Sequence, residues 1–70
     1  MNSEWTIRRE MCEVARRVYD KGLVGGTDGN ISARVIGDRL LISPSGSCLG
    51  LLEPGDLVQI DHTGNVITGR

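Results

Sequence analysis

The placement of glycine restricts the fold of this chain more than any other feature. Ten of the 70 residues are Gly, and two Gly-containing polar turns lie about one hairpin apart. We call residues 25–32 the first glycine turn and residues 43–46 the second glycine turn. Glycine loses more conformational freedom on folding than other residues, so a chain this rich in it is costly to order. We therefore expect short elements joined by tight turns, and we look for function in the turns themselves.

Length and charge narrow the class of protein. A chain of 70 residues holds one small domain, residues 1–70, which buries only about 60% of its unfolded surface. A formal net charge of −1 and a pI near 5.7 provide no basic field for nucleic acid or an anionic membrane. The longest strictly apolar run, residues 40–42, is far shorter than a bilayer span, and residues 8–10 are charged where a signal peptide would be apolar. These patterns predict a cytoplasmic protein that binds neither nucleic acid nor membranes.

The chain contains two cysteines and one histidine. Two cysteines cannot build a disulfide framework, and their spacing from His62 does not match a zinc site. We expect Cys12 and Cys48 to be reduced and structural, and we expect no complete metal site within this chain.

Residues 3–21 have the periodicity of an amphipathic helix, capped at its start by Asn2 or Ser3 and followed by Gly22 at its end. The opposite side is charged and is predicted to face solvent. A further apolar row extends the apolar arc to about half the circumference, more than one sheet face covers. We therefore expect a second contact, with further chain or with another subunit. The main apolar stripe is Ile7, Met11, Val14, Ala15 and Val18, and the further row is Trp5, Cys12 and Tyr19.

The remainder of the chain alternates between strand and turn signals. Residues 31–36 alternate apolar and polar side chains, and residues 39–43 return as a second, mostly buried strand that Pro44 stops. Residues 49–56 mix apolar residues with helix breakers, which predicts a helical turn or loop; residues 57–61 and a short strand at 66–67 follow. The expected fold class is α/β, with the N-terminal amphipathic helix packed on a mainly antiparallel sheet.

The two glycine turns have the chemistry of an anion site. Backbone N–H groups uncovered by side chains, together with short hydroxyl and amide groups, are donors suited to a phosphate. The hairpin between the turns would bring them to the same edge of the sheet, with Asp28 pointing elsewhere. A single such turn is more often an ordinary loop, and only the convergence of both favours binding. The predicted donors are Thr27, Gly29, Asn30, Ser45 and Gly46.

Other chemistries lack the residues that they need. Nucleotide-binding glycine loops run from strand to helix, whereas the first glycine turn runs from helix to strand, and no Gly-Lys-Ser/Thr follows. Ser43 and Ser45 do not complete a nucleophile elbow, because residue 43 is Ser where that motif has Gly. His62 is expected to be an exposed turn residue. The dispersed carboxylates form no acid and base pair, so this chain is assigned no catalytic residue.

Three segments in order resemble the N-terminal part of the class II aldolase/adducin family. They are residues 26–32, residues 41–46 and residues 54–58 with Asp61. The pairing of Gly-Thr-x-Gly-Asn-x-Ser with Ser/Thr-Pro-Ser/Thr-Gly is far more specific than either half. The resemblance covers the chain from the first helix onward, and it implies the opening portion of a three-layer α/β/α domain.

The resemblance also implies a reaction and a set of ligands. Family enzymes bind zinc or another divalent metal and cleave a phosphorylated ketose to dihydroxyacetone phosphate and an aldehyde, stabilising an enediolate by Lewis-acid catalysis. The phosphate role carries over to Gly29, Asn30, Ser45 and Gly46, with Thr27 as a supporting donor. The family's Ser-Ser-Glu segment and His-x-His metal motif would follow beyond Arg70. We therefore expect this chain alone to be inactive and to bind no metal.

Two alternatives remain open from the sequence. A sugar-phosphate epimerase or dehydratase of the same family would share these motifs, because substrate choice depends on other residues. An adducin-like interaction module would keep the fold without catalysis, although a scaffold has no need of paired donor turns. The family's habit and the row of Trp5, Cys12 and Tyr19 both suggest a homo-oligomer.

Overall fold

A computed structural model of the chain describes residues 3–27, 29–35 and 37–68. One helix precedes a four-stranded sheet in which every strand pairs antiparallel with its neighbour in sequence. The predicted helix on an antiparallel sheet is therefore confirmed. The elements are α1 (Glu4–Asp20), β1 (Ser32–Val35), β2 (Arg39–Ile42), β3 (Val58–Asp61) and β4 (Val66–Thr68), with two 3₁₀ helices, Leu49–Leu51 and Pro54–Asp56, between β2 and β3.

Both ends of α1 are closed as the sequence predicts. The Ser3 hydroxyl accepts a hydrogen bond from the Thr6 N–H at 3.1 Å, which satisfies one of the free N–H groups of the first turn. At the other end Gly22 has φ +73°. Its N–H donates to Tyr19 at 3.0 Å, and the Leu23 N–H donates to Val18 at 3.2 Å. These two bonds form a Schellman motif, which uses glycine because its φ is positive.

The core lies between α1 and one face of the sheet. Met11 and Ala15 from the helix pack against Leu41 of β2, with Ala15 and Leu41 fully buried. Ala33 and Val35 of β1, with Ile31 just before the strand, pack against this core, as predicted. Leu49, Leu52 and Leu57, from the connection between β2 and β3, complete the cluster.

The prediction for α1 differs from the structure at Val14. Its side chain is 51% exposed, although it belongs to the predicted apolar stripe. The helix covers the sheet along a narrower line through Met11 and Ala15, so Val14 lies at the edge of the contact. In the further row Trp5 is 55% and Tyr19 38% exposed, whereas Cys12 is partly buried against the core.

The predicted turn at residues 49–56 is two successive 3₁₀ helices. Asp56 caps the second of them, because its carboxylate accepts from the Glu53 N–H at 3.0 Å. The first is tied to α1 by close packing, since a β-carbon on Gly50 would lie 2.5 Å from Cδ2 of Tyr19. Glycine at position 50 is thus required by the approach of the aromatic ring.

A partly buried polar cluster, which the sequence did not predict, joins the start of α1 to β3. Arg8 donates to the backbone oxygens of Pro54 and Leu57, each at 2.9 Å, and to the Glu4 carboxylate at 2.9 Å. Gln59 donates to the other oxygen of Glu4 at 2.6 Å. We call these five residues the Arg8 cluster. Burying arginine is tolerable here because its donors have nearby acceptors.

Described residues that fall on the other face of the sheet are apolar in three strands. By register, Leu40 and Ile42 of β2 share this face with Val58 and Ile60 of β3. Val66 of β4 continues it and is 58% exposed. Separately, none of the described helical segments has the length and hydropathy that a membrane crossing needs.

Candidate phosphate-binding site

The pairing of β1 with β2 brings the two glycine turns to one end of the sheet. Ser32 lies opposite Ile42, and the pairing continues one residue further. The Ser43 N–H donates to the Ile31 carbonyl at 2.9 Å, and the Ile31 N–H donates to the Ser43 hydroxyl at 3.0 Å. The chain entering β1 from the first glycine turn and the chain leaving β2 into the second are therefore adjacent.

Gly29 connects the first glycine turn to the segment that follows the second. Its φ is +99°, a conformation that side chains rarely adopt. A β-carbon here would lie 3.0 Å from Cγ1 of Val24 and 3.4 Å from Cδ1 of Leu49. The first glycine turn thus lies against Leu49. The backbone angle and the close approach of Val24 both favour glycine at position 29.

The second glycine turn overlaps a tight β-turn that spans residues 44–47. The Ser47 N–H donates to the Pro44 carbonyl at 3.1 Å, and the Ser47 hydroxyl donates to the same oxygen. Gly46, the third residue of the turn, has φ +77°, as a type II turn requires. Ser45 and Gly46 are both exposed. The turn thus presents a hydroxyl and a glycine N–H to solvent.

The predicted donors are not used within the described parts of the chain. Thr27, Gly29, Asn30, Ser45 and Gly46 are all exposed. No hydrogen bond to another described residue involves the side chains of the three polar residues or the N–H groups of the two glycines. With respect to the residues that the structure describes, these neutral donors are open to a ligand that accepts several hydrogen bonds. The prediction that Asp28 points elsewhere lies outside the described residues.

Groups that could support other chemistries are occupied or distant. The Ser43 hydroxyl is buried and accepts from Ile31. His62 is exposed in the turn between β3 and β4, at the opposite end of the sheet from Ser43. Burial raises the pKa of the Cys12 thiol above its ordinary value of 9.0, so this thiol is protonated at neutral pH. His62 therefore activates neither Ser43 nor Cys12.

A metal site does not form from the part of the chain that the structure describes. In residues 3–27, 29–35 and 37–68 no three His, Cys, Asp or Glu side chains lie close enough to hold an ion. Cys12 and Cys48 are free thiols. The described residues therefore do not fit a divalent metal.

Comparison with known proteins identifies the family. The family model for the class II aldolase and adducin N-terminal domain matches residues 9–70. Helix, antiparallel sheet and paired glycine turns define a domain of this kind, and the chain belongs to the class II aldolase and adducin family.

Two curated relatives and one solved structure illustrate the likeness. The chain is 36% identical over 63 residues to L-fuculose phosphate aldolase of Methanocaldococcus jannaschii, covering 90% of this chain and 34% of the relative. It is 35% identical over 69 residues to 3-oxo-tetronate 4-phosphate decarboxylase of Cupriavidus necator, covering 99% and 31%. The crystal structure of YgbL from Escherichia coli superposes with a TM-score of 0.90 at 35% identity, covering 94% and 32%. The chain thus spans about a third of the length of the relatives that it matches.

Proposed function

We propose that the two glycine turns bind the phosphate group of a sugar-phosphate substrate. The supporting observation is the pair of hydrogen bonds between Ile31 and Ser43, which makes the two sets of exposed donors neighbours. A phosphate offers several strong acceptor oxygens and is well matched to converging backbone and side-chain donors. Both curated relatives are named for a phosphorylated substrate, which agrees with this assignment. The proposed contacts come from Thr27, Gly29, Asn30, Ser45 and Gly46.

We infer that these residues serve a metal-dependent, aldolase-type lyase. Membership of the class II aldolase family supports this reaction class. A bound divalent metal, with zinc as our expectation, would polarise a substrate carbonyl as a Lewis acid. The described residues contribute no ligand set for that ion. Their proposed part is to hold the phosphate, which fixes the substrate relative to the reacting carbon. We propose dihydroxyacetone phosphate and an aldehyde as the products.

A decarboxylase is a second candidate function. One relative, 35% identical over nearly the whole chain, carries that name and acts on a 4-phosphate of a 3-oxo acid. Cleavage of an aldol and decarboxylation of a 3-oxo acid both leave a carbanion beside a carbonyl, so one phosphate site suits both. The epimerase, dehydratase and adducin-like alternatives remain untested. Release of an aldehyde or of carbon dioxide from phosphorylated substrates would separate the two lyase reactions.

The experiment that tests phosphate binding uses the product of the whole reading frame that contains these 70 residues, which we call the complete protein. We would titrate it, labelled with ¹⁵N, with phosphoglycolate and separately with glycolate. We expect saturable shifts of the Gly29, Asn30 and Gly46 amides with phosphoglycolate and none with glycolate. A well-dispersed spectrum in which these amides do not move would contradict the proposal and would support an interaction module.

We also propose a homo-oligomer in the cytoplasm. The exposed aromatic side chains of Trp5 and Tyr19 lie on the same helix and would be buried by a second copy. The free thiols of Cys12 and Cys48 suit a reducing compartment. Light scattering of the complete protein, compared with that of a Trp5→Ser variant, would test the association.

A further inference from the structure

We propose that Ser43 is a positioning residue, which sets the spacing of the two glycine turns and through it the affinity for a phosphate group. This inference rests on the proposed phosphate-binding function. Ser43 would not contact the ligand. It would act through Asn30, which precedes its partner Ile31, and through Ser45, which follows two residues later in the chain.

The hydrogen bonds of the Ile31–Ser43 pair, at the end of the β1–β2 pairing, support this role. In the hydrogen-bonded pairs of a regular antiparallel ladder, two opposed residues exchange both N–H to O=C bonds. Ser43 and Ile31 make only one of these, from the Ser43 N–H to the Ile31 carbonyl at 2.9 Å. The reciprocal bond is replaced, because the Ile31 N–H donates to the Ser43 hydroxyl at 3.0 Å. The Ser43 side chain thus takes the place of its own backbone carbonyl.

This substitution lets β2 leave the sheet without breaking the pairing. Pro44 lacks an N–H and fixes its own φ, so the chain cannot continue as a central strand at this point. Since the Ser43 carbonyl is released from the ladder, the backbone is free to turn away into the second glycine turn. The hydroxyl meanwhile keeps Ile31, and with it the end of the first glycine turn, attached to β2.

Burial makes the hydroxyl difficult to replace. Ser43 is only 6% exposed, so water has little access to the position that its oxygen occupies. Without that oxygen the Ile31 N–H would lack its acceptor at the junction of the two turns. Ile31 is half-buried, and a partly buried donor left without a partner is unfavourable, so the strand ends would separate to hydrate it. The donors of the two glycine turns would then no longer converge on one anion.

The test compares Ser43→Ala with Ser43→Thr in the complete protein, using the dissociation constant of phosphoglycolate measured by calorimetry. We expect Ser43→Ala to bind about tenfold more weakly, because the shared hydrogen bond is lost. Ser43→Thr retains the hydroxyl, and its affinity is expected within about threefold of the unmodified protein. Ile42→Val, a small change at the adjacent position, is the control for general loosening of β2 and should leave affinity unchanged.

Each outcome bears on one claim. If the unmodified protein binds no phosphoglycolate, the proposed function is wrong. If it binds and Ser43→Ala binds equally well, Ser43 has no positioning role. If Ser43→Ala does not fold, Ser43→Cys replaces it in the test, because a thiol is close in size to a hydroxyl but is a poor acceptor. We expect Ser43→Cys to bind phosphoglycolate more weakly, and unchanged binding would overturn the inference. Loss of affinity in Ile42→Val as large as in Ser43→Ala would likewise reject a specific role for the hydroxyl.

Discussion

The Arg8 cluster and the two glycine turns lie at the same end of the sheet, where β2 leaves it and β3 begins. Both are rich in polar groups, but they use them differently. In the Arg8 cluster a buried guanidinium is bonded to Glu4 and to the carbonyls of Pro54 and Leu57. In the glycine turns the side chains of Asn30 and Ser45 are exposed, and no described residue accepts from or donates to them.

The difference separates stability from binding. Hydrogen bonds made within the fold hold the fold together but leave nothing for a ligand. Exposed donors on turns with fixed backbone angles contribute little to stability, and they require no rearrangement when an anion arrives. We therefore expect substitutions in the Arg8 cluster to lower stability and substitutions in the glycine turns to lower affinity. Four predictions follow from this contrast, in order of decreasing effect.

Arg8→Ala is expected to have the largest effect. It removes the donors to two backbone carbonyls and the partner of Glu4, at a cost of about 3 kcal/mol in the free energy of unfolding. Urea denaturation of the complete protein measures this loss. The neighbouring Arg9 is exposed, and Arg9→Ala should change stability by no more than about 0.5 kcal/mol. If the two substitutions lower the free energy of unfolding equally, the Arg8 cluster does not stabilise the fold.

Asn30→Ala should behave in the opposite way. If its amide donates to a bound phosphate, the affinity for a phosphorylated ligand falls by about 1.5–3 kcal/mol, the scale of a hydrogen bond to a charged group. Stability should hardly change, because the side chain is exposed. Asn65, in the turn at the other end of the sheet, is the matched control, and Asn65→Ala should not affect calorimetric binding. Unchanged affinity of Asn30→Ala would remove Asn30 from the site.

Gly46→Ala separates backbone strain from steric contact. Gly46 has φ +77° and open space around its missing β-carbon, so the substitution is strained but not crowded. We expect a loss of about 1 kcal/mol in stability, with weaker phosphate binding as the turn relaxes. Gly55 has equally open space but no positive φ, and Gly55→Ala should be neutral or slightly stabilising. A thermal melt of both variants distinguishes the two cases.

The smallest effect concerns the pH dependence of stability. Asp61 accepts from the Thr63 hydroxyl and from the N–H groups of Thr63 and Asn65, and these bonds lower the pKa of its carboxyl from 3.8 to about 2. Because the pKa is lowered on folding, the stabilisation is present above pH 3.8 and is lost as the pH falls toward 2. Asp61→Asn should lack this dependence, so the melting temperatures of the two proteins should converge in acid.

Much of the fold could be predicted from periodicity and turn chemistry. Ser3 and Gly22 indicated the ends of α1, and the alternation of Ile31, Ala33 and Val35 indicated the buried face of β1. These signals are local, since a cap or an alternating strand depends on residues that are near in sequence. The meeting of the two glycine turns was also expected, because a short hairpin returns the chain to its starting edge.

The Arg8 cluster and the role of Ser43 were not predictable in this way. In the sequence Arg8 is only a charge near the N-terminus, yet its two carbonyl acceptors lie 46 and 49 residues away. Nothing in a single sequence distinguishes a buried arginine with distant acceptors from a solvated one. The sequence motif only excludes Ser43 as a nucleophile, and its bond to Ile31 depends on the register of β1 and β2. Periodicity puts Val14 in the apolar stripe because it does not report the width of the contact between α1 and the sheet.

The order of the strands has a consequence for how the molecule forms. Every strand pairs with its immediate neighbour in sequence, from β1 to β4. The β1–β2 and β3–β4 hairpins close through short turns, and local pairing of this kind favours rapid formation. The β1–β2 hairpin contains both ends that form the proposed site. We therefore expect the pocket to be assembled early, while later parts of the chain are still being synthesised.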